Sequence, residues 1–345
     1  MHYSKISSEF KIEFFKLIEN SQNILITSHI SPDEDAIASV LSMYEILSNK
    51  YTAKNIRIAI SSEPQDRLKI FKHYEKIEFV NDISNHLTDT DLLIMLDGSQ
   101  HARFSKNETF GEQISKVKTI TIDHHASPVD EFTLSLIVPE LSSNAELIYL
   151  SVCEKENVTP ELAEIFMLGI LADTGNFNYL KKNQTGTLTS AKELMDIGDI
   201  QIEEFQSQYR HTSKREFMII RELVKNTTFG FVSSWPAFQY SFVTPEFAKD
   251  YTEMEISSAK AIYQGQYLRR IEEHPWGFVV TPRDGSSRIS ARSMNKSVNV
   301  RALFEKMNIG GGHDRASGGE FKDMRVEEAI EKIKGWMREN KEEVS

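Results

Sequence analysis

Thr119-Ile120-Thr121-Ile122-Asp123-His124-His125 is a β-branched apolar run that ends on an acid and two imidazoles. Such a run suits a strand inside a sheet. Three ionisable groups at its end are costly to bury alone, and the partners that suit them are metal ions or phosphate. The chain repeats the pattern elsewhere. Residues 23–29 (NILITSH) form an apolar strand ending at His29. Ile30-Ser31-Pro32-Asp33-Glu34-Asp35 follows as a loop, because Pro32 turns Ser31 away from the helical region. Residues 36–49 then show helical spacing in Ile37, Val40, Leu41, Tyr44 and Leu47. Residues 56–60 are a second strand. Residues 90–97 are a third, the run Leu92-Leu93-Ile94-Met95-Leu96 finishing on Asp97-Gly98. Helices are expected over residues 143–156 and 159–172, the second running into Asp173-Thr174-Gly175.

Continuous apolar strands interleaved with helices indicate an α/β fold with a mostly parallel sheet flanked by helices on both faces. Ligands collect beyond the carboxyl ends of such strands. His29, Asp33, Asp35, Asp97, Asp123, His124 and His125 all fall there, and Asp173 is expected on the same rim. Each alone could be a surface loop, a helix cap or a turn; four pieces converging on one rim make a site.

Residues 185–225 are helical and polar, with a stop at Gly198, and read as a connector. From Thr228 the pattern changes to strands. Residues 228–234 and 237–243 suggest a hairpin around Trp235-Pro236, and residues 276–281 and 288–292 a second, with the turn signal Asp284-Gly285. Helices near residues 298–307 and 326–340 complete a smaller α/β domain. The expected organisation is a catalytic domain over residues 1–184, a helical linker over 185–226 and a substrate-binding domain over 227–345.

A length of 345 residues accommodates two domains with separate cores. Hydrophobic residues at 40% and charged residues at 26% are those of a soluble globular chain. No apolar run is long enough to span a membrane, and the N-terminus lacks a secretory signal's apolar stretch, so a cytoplasmic protein without a membrane partner is expected. A net charge of -11 argues against a surface that coats long nucleic acid, though not against a local phosphate pocket. Residues 281–301 are locally basic, with Arg283, Arg288, Arg292, Lys296 and Arg301 against Asp284. Cys153, the one cysteine, excludes internal disulfides and thiolate metal clusters.

Two imidazoles and four carboxylates suit a pair of divalent ions, Mn²⁺ before Co²⁺ or Fe²⁺, and the lack of thiolates argues against structural zinc. Two ions about 3.5–4 Å apart stabilise both the attacking and the leaving oxygen of an in-line displacement at phosphorus. The reaction class that follows is phosphoester hydrolysis. In Gly310-Gly311-Gly312-His313, successive glycines let backbone N–H groups approach a phosphate without Cβ interference, or else make a flexible turn.

These stretches resemble the motifs of a known family. His29-Ile-Ser-Pro-Asp-Glu-Asp-Ala, Leu96-Asp97, Asp123-His124-His125 and Ala172-Asp173-Thr174-Gly175 are similar to the N-terminal motifs of DHH phosphoesterases. Gly310-Gly311-Gly312-His313-Asp314-Arg315-Ala316-Ser317-Gly318 is similar to the glycine-rich signature of the DHHA1 domain that follows them. The nanoRNase/pAp-phosphatase branch resembles the chain most. The resemblance implies a DHH domain, a helical linker and a DHHA1 domain, with one Mn²⁺ on His29, Asp33, Asp97 and Asp173. A second would sit on Asp35, Asp97, His124 and Asp173, with Asp97 bridging. It implies further that Asp123 orients His124 and that His125 contacts the scissile phosphate. Arg292, in Ser290-Ala-Arg-Ser293, would hold a terminal nucleotide with Gly310, Gly311, Gly312 and His313. Substrates would be short oligonucleotides and pAp, and the assembly a homodimer.

Two departures stand out. Glu34 occupies a position that is commonly glycine in this family, and no arginine follows Asp173-Thr174-Gly175; Arg103 is the candidate compensating cation. Other readings are a cyclic or linear dinucleotide phosphodiesterase and a nucleotide sensor without turnover. The glycine segment fits an inorganic pyrophosphatase less well, and the chain lacks room for the extra domains of RecJ-type exonucleases.

Overall fold

The first helix begins where Ser7 accepts the amide of Phe10, and from there sharp local signals punctuate the chain. A computed structural model describes residues 6–126, 128–294 and 296–340. It divides at His211–Thr212 into two units with separate cores. The first contains α1 (Ser8–Glu19), β1 (Asn23–Ser28), α2 (Glu34–Lys50), β2 (Asn55–Ser61), β3 (Ile77–Val80) and β4 (Leu92–Leu96). It continues with α3 (Phe110–Ile114), β5 (Lys118–Asp123), β6 (Leu134–Ile137), α4 (Asn144–Ser151), α5 (Pro160–Asp173), α6 (Thr187–Gly198) and α7 (Ile202–Tyr209).

The six strands form one sheet in the order β3-β2-β1-β4-β5-β6, every neighbouring pair parallel. After β3 the chain crosses to the other side of β1, so the strand order reverses between β1 and β4, where open α/β sheets hold their ligands. Successive residues of a strand face opposite sides. Ile24 and Ile26 of β1 therefore enter the core under α2, α4 and α5, while Leu25 joins Leu93, Met95 and Phe104 on the other face. Both faces are covered, which accounts for the unbroken apolar runs. Each fully buried Leu or Ile contributes about 1.5–3 kcal/mol.

The strands β3 and β6 lie at the sheet edges, are four residues long and are only partly buried, too short to carry a pattern in sequence. The helix expected over residues 143–156 stops at Ser151, whose hydroxyl donates to the Leu147 carbonyl at 2.6 Å. A 3₁₀ turn at Lys155–Asn157 takes up the rest. Cys153 lies beyond that helix end rather than inside it, and is buried.

The segment 185–226, expected as a connector, is divided between the two units. Leu194 of α6 and Phe205 and Tyr209 of α7 are buried in the first core. The next helix, α8 (Lys214–Lys225), buries Ile219, Ile220 and Leu223 in the second unit. That unit continues with β7 (Thr228–Gly230), β8 (Phe238–Phe242), α9 (Pro245–Ala248), α10 (Glu253–Gln266), β9 (Trp276–Arg283) and β10 (Ser286–Ser293). It ends with α11 (Val300–Lys306), β11 (Gly310–His313), β12 (Ala316–Phe321) and α12 (Val326–Glu339). Its mixed sheet has the order β11-β12-β10-β9-β8-β7, with β8 and β9 parallel and the other pairs antiparallel. Asp284 and Gly285 turn β9 into β10 with φ of 39° and 81°, the positive-φ pair a two-residue hairpin requires. No element is expected over α10 from apolar spacing, yet its start is marked by a capping box between Thr252 and Glu255.

The glycine-rich segment is a strand, not a turn. β11 pairs with β12 from Gly310 opposite Gly319 to His313 opposite Ala316. A Cβ at Gly310 would strike the Gly318 carbonyl, and Gly312, at φ 143°, would place one 2.8 Å from the Ala316 carbonyl. The glycines thus serve the approach of two strands before any ligand. Among the described residues, no helix is long and apolar enough to cross a membrane.

The layer of α2, α4 and α5 depends on Gly169. A Cβ there would meet Asp35 Oδ1 and stand 2.5 Å from Ala145 Cβ. Gly169→Ala should destabilise the first unit by about 1–3 kcal/mol through overpacking, read as a lower denaturation midpoint. An unchanged midpoint would mean the helices shift freely.

Candidate metal centre

Three neighbouring strands deliver the first ligand candidates. His29 follows β1, Asp97 follows β4, and Asp123 ends β5 with His124 and His125 next. Two helices supply the remainder. Asp33 is the N-cap of α2 and accepts the Ala36 amide at 3.0 Å; Asp35 lies in its first turn. Asp173 is the last residue of α5. Asp97 sits at φ 61° with its amide donating to the Ile122 carbonyl, so the chain leaves β4 in a left-handed step. For a residue other than glycine that step costs about 1–2 kcal/mol. Ser31, Asn176 and Phe177, near the same rim, also have positive φ.

Three sets of potential ligand atoms lie within 4.8 Å of one another: His29, Asp33 and Asp97; Asp35, His124 and Asp173; and Asp97, His124 and His125. Asp97 faces His29 Nε2 through Oδ2 at 3.3 Å. Its Oδ1 is 3.5 Å from both His124 Nε2 and His125 Nδ1. His124 Nε2 is 3.0 Å from Asp173 Oδ2 and 3.8 Å from Asp35 Oδ2. Asp173 joins the set of Asp35 and His124 but not the set of His29 and Asp33, although the family resemblance implies both.

Asp123 orients His125, not His124 as expected. Its Oδ1 accepts the His125 backbone amide at 3.1 Å and lies 2.7 Å from His125 Nδ1. A carboxylate that bonds the amide two residues on closes an Asx turn, which brings the ring of that same residue to it. Asp35 also anchors a helix, since both of its oxygens accept amides at the start of α4, from Asn144 at 2.7 Å and Ala145 at 3.0 Å.

Without ions the cluster shares protons. Burial opposes a charge on His29, but the hydrogen bond and charge of Asp97, aided by Asp33, outweigh it and push its pKa up to about 9. For His124 burial again opposes, and Asp173 with Asp97 and Asp35 raises it well above the imidazole value. Desolvation by crowding within the rim, then Asp97 and Asp173, lifts Asp33 to about 6 although the residue is exposed. The same effects lift Asp35, with Asp173 ahead of Asp97. Asp97 is held below the carboxylate range despite burial, chiefly by His29.

Divalent ions fit this set. Asp97 Oδ1 is buried without a hydrogen-bond partner, a deficit of about 1–3 kcal/mol, and His124 Nε2 faces only carboxylate oxygens. Carboxylate and imidazole donors without thiolates suit Mn²⁺-like ions. Arg103 stands near: its carbonyl accepts the Ile30 amide at 2.7 Å and its charge is felt at His29.

Three residues escaped the sequence. Arg67 Nη1 holds Glu34 Oε1 at 2.7 Å, so the extra carboxylate is committed to a guanidinium and joins none of the three sets. Arg210 Nη1 donates to Asn176 Oδ1 at 3.1 Å and thus brings an arginine to the turn after Asp173-Thr174-Gly175. Asn144, with its oxygen accepting from Asp97 N at 3.2 Å and its nitrogen donating to Ile122 O at 2.9 Å, ties β4, β5 and α4 together. All three act across long stretches of chain, where local spacing gives no signal.

In the second unit, Arg292 lies opposite Ala316, which lies opposite His313. Directly opposed residues share a sheet face, so Arg292 and His313 flank Ala316 on one side. Arg292 Nη1 also donates to the Ala291 carbonyl at 2.9 Å.

Ion binding must displace protons. His29 ligates only when neutral, so below about pH 9 an ion competes with its proton, and below about pH 6 also with that of Asp33. Affinity should rise with pH, about tenfold per pH unit for each proton displaced. Calorimetric titration with Mn²⁺ at pH 7 in two buffers of different ionisation enthalpy should show proton release. Zero release would remove His29 from the ligands.

Residues 23–170 match the DHH family N-terminal domain and residues 239–339 the DHHA1 domain. The bifunctional oligoribonuclease and PAP phosphatase NrnA of Bacillus subtilis is 26% identical over 318 residues, which cover 89% of this chain and 92% of that protein. The cyclic-di-AMP phosphodiesterase PdeA of Listeria monocytogenes is 23% identical across 92% of this chain but only 48% of its own length. In fold, the chain is similar to an exopolyphosphatase-related protein of Bacteroides fragilis, with a TM-score of 0.83 at 24% identity over 97% of this chain and 98% of that one. The chain is thus built as a DHH family N-terminal domain followed by a DHHA1 domain.

Proposed function

We propose that the chain is a metal-dependent phosphoesterase that hydrolyses short oligoribonucleotides and pAp with two divalent ions, Mn²⁺ first. The observation that carries this reading is the convergence of His29, Asp33, Asp35, Asp97, His124 and Asp173 around one shared carboxylate. His29, Asp33 and Asp97 would hold one ion; Asp35, His124, Asp173 and Asp97 would hold the other. Such a pair, when bound, supplies Lewis-acid polarisation of the phosphate and activation of water at neutral pH.

The chain's own groups do the rest. Asp123 fixes the His125 ring through Nδ1, so that Nε2 is the ring atom to meet a phosphate oxygen. Arg292 and His313, sharing a face of the second sheet, would hold the terminal nucleotide beside the glycine strand. The likeness to NrnA supports oligoribonucleotides and pAp as substrates. The likeness to PdeA across 92% of this chain favours a second reading, a cyclic or linear dinucleotide phosphodiesterase. A cytoplasmic location and a homodimer go with both.

The test is hydrolysis in Mn²⁺ of pAp, di- and trinucleotides, c-di-AMP and pyrophosphate. Release of mononucleotide from the short strands and phosphate from pAp is expected; tight nucleotide binding without release from any substrate would leave a sensor. Asp97→Ala should lower turnover by at least about 10³-fold with the fold retained in circular dichroism. Asp123→Ala should cost about 10–100-fold, the usual loss when an orienting carboxylate is removed. Arg292→Ala should raise KM about tenfold with kcat little changed; an unchanged KM would exclude it from the nucleotide site.

A further inference from the structure

The second unit buries a cation that the proposed nucleotide site does not use. Lys260 of α10 is 9% exposed. Among the described residues its ammonium has neither hydrogen bond nor ion pair. Burial disfavours its charge, Arg288, Arg292 and Arg283 repel it, and the attraction of Glu253 does not offset them, so its pKa is pushed down to about 8. Glu253 is already engaged: its Oε1 is 3.1 Å from Arg283 Nε and 3.0 Å from Arg288 Nη1. One carboxylate between two guanidiniums leaves the buried ammonium uncompensated, an arrangement a folded protein ordinarily avoids.

These groups line a cavity of about 380 Å³, within the range of small-molecule sites. Lys260, Arg283 and Arg288 lie on its wall with Lys249, Arg325, the carboxylates of Glu253 and Asp284, and apolar Ile256 and Met324; neither Arg292 nor any residue of β11 does. Lys260 and the two guanidiniums, planar forks that now share Glu253, match the several acceptor oxygens of a phosphate better than the two of a carboxylate, with phosphate taking the place of Glu253. The apolar wall offers surface to the remainder of a nucleotide. Along β10, Arg288 and Arg292 point to the same side four residues apart, about 13 Å. The cavity therefore neighbours the Arg292 site without coinciding with it.

We propose that this cavity is a separate phosphate site, in which Lys260, Arg283 and Arg288 hold the phosphomonoester or phosphodiester group of a nucleotide. That group belongs either to a strand whose end is held at Arg292 or to a free nucleotide. The site does not depend on the hydrolysis proposed above.

The first test uses the full chain with metal chelated, unfolded thermally in inorganic phosphate and in chloride at equal ionic strength. Phosphate should raise the Tm of the natural chain. Lys260→Met should start higher in chloride, because an uncompensated buried charge is gone, and should lose the phosphate increment. Arg288→Ala should lose it too, and Arg292→Ala should keep it. An increment as large as that of the natural chain in both Lys260→Met and Arg288→Ala overturns the site. Calorimetric titration under the same conditions then assigns the source. Weakening of a tetranucleotide by about tenfold in Lys260→Met, with a dinucleotide unaffected, assigns the phosphate to a strand. AMP that binds Arg292→Ala and fails to bind once Lys260→Met is added assigns it to a free nucleotide.

Discussion

One buried carboxylate gathers the ligand candidates of the first unit. Asp97 is 1% exposed and meets three imidazoles, His29 at 3.3 Å and His124 and His125 at 3.5 Å. A charge so placed persists only if its surroundings hold every partner still. Here the sheet does so, because β1, β4 and β5 are adjacent and parallel and end at one level. The left-handed step at Asp97 and the Asn144 amide then aim the carboxylate. Remove the parallel register and the six ligand candidates would no longer share a rim.

Much of this unit was legible because its signals are local. Unbroken apolar runs mark strands covered on both faces, and an acid or imidazole directly after such a run marks the ligand end. The long helices α2 and α5 announce themselves by spacing, although the capping by Asp33 and Thr159 is visible only in the fold. What stayed hidden is contact between distant segments. Which imidazole Asp123 would serve depends on how the chain turns within two residues. Arg67, Arg210 and Asn144 reach the rim from loops or helices that carry no distinguishing pattern. The edge strands β3 and β6 are too short to alternate visibly.

The second unit was read less well for a different reason. Its helices and strands interleave without a repeating order, and a glycine run carries no side chain by which to judge periodicity. Gly310–His313 therefore reads as a loop although it is an edge strand, and Ser290, Gly318 and Gly311 fall in line across three strands. The basic stretch around Arg283 and Arg288 was visible, whereas Lys260 was not. A single lysine in a helix is ordinary until its burial is known.

Asp35 has a consequence beyond ligation. The same carboxylate that looks toward His124 receives the first two amides of α4. Negative charge at a helix start strengthens that helix, and draining the charge weakens it. Whatever takes electron density from Asp35, proton or ion, is therefore registered in the backbone of α4 and passed to its packing neighbours. Through Asp35 the rim and α4 are tied together, so filling the rim bears on the helix that covers this face of the sheet.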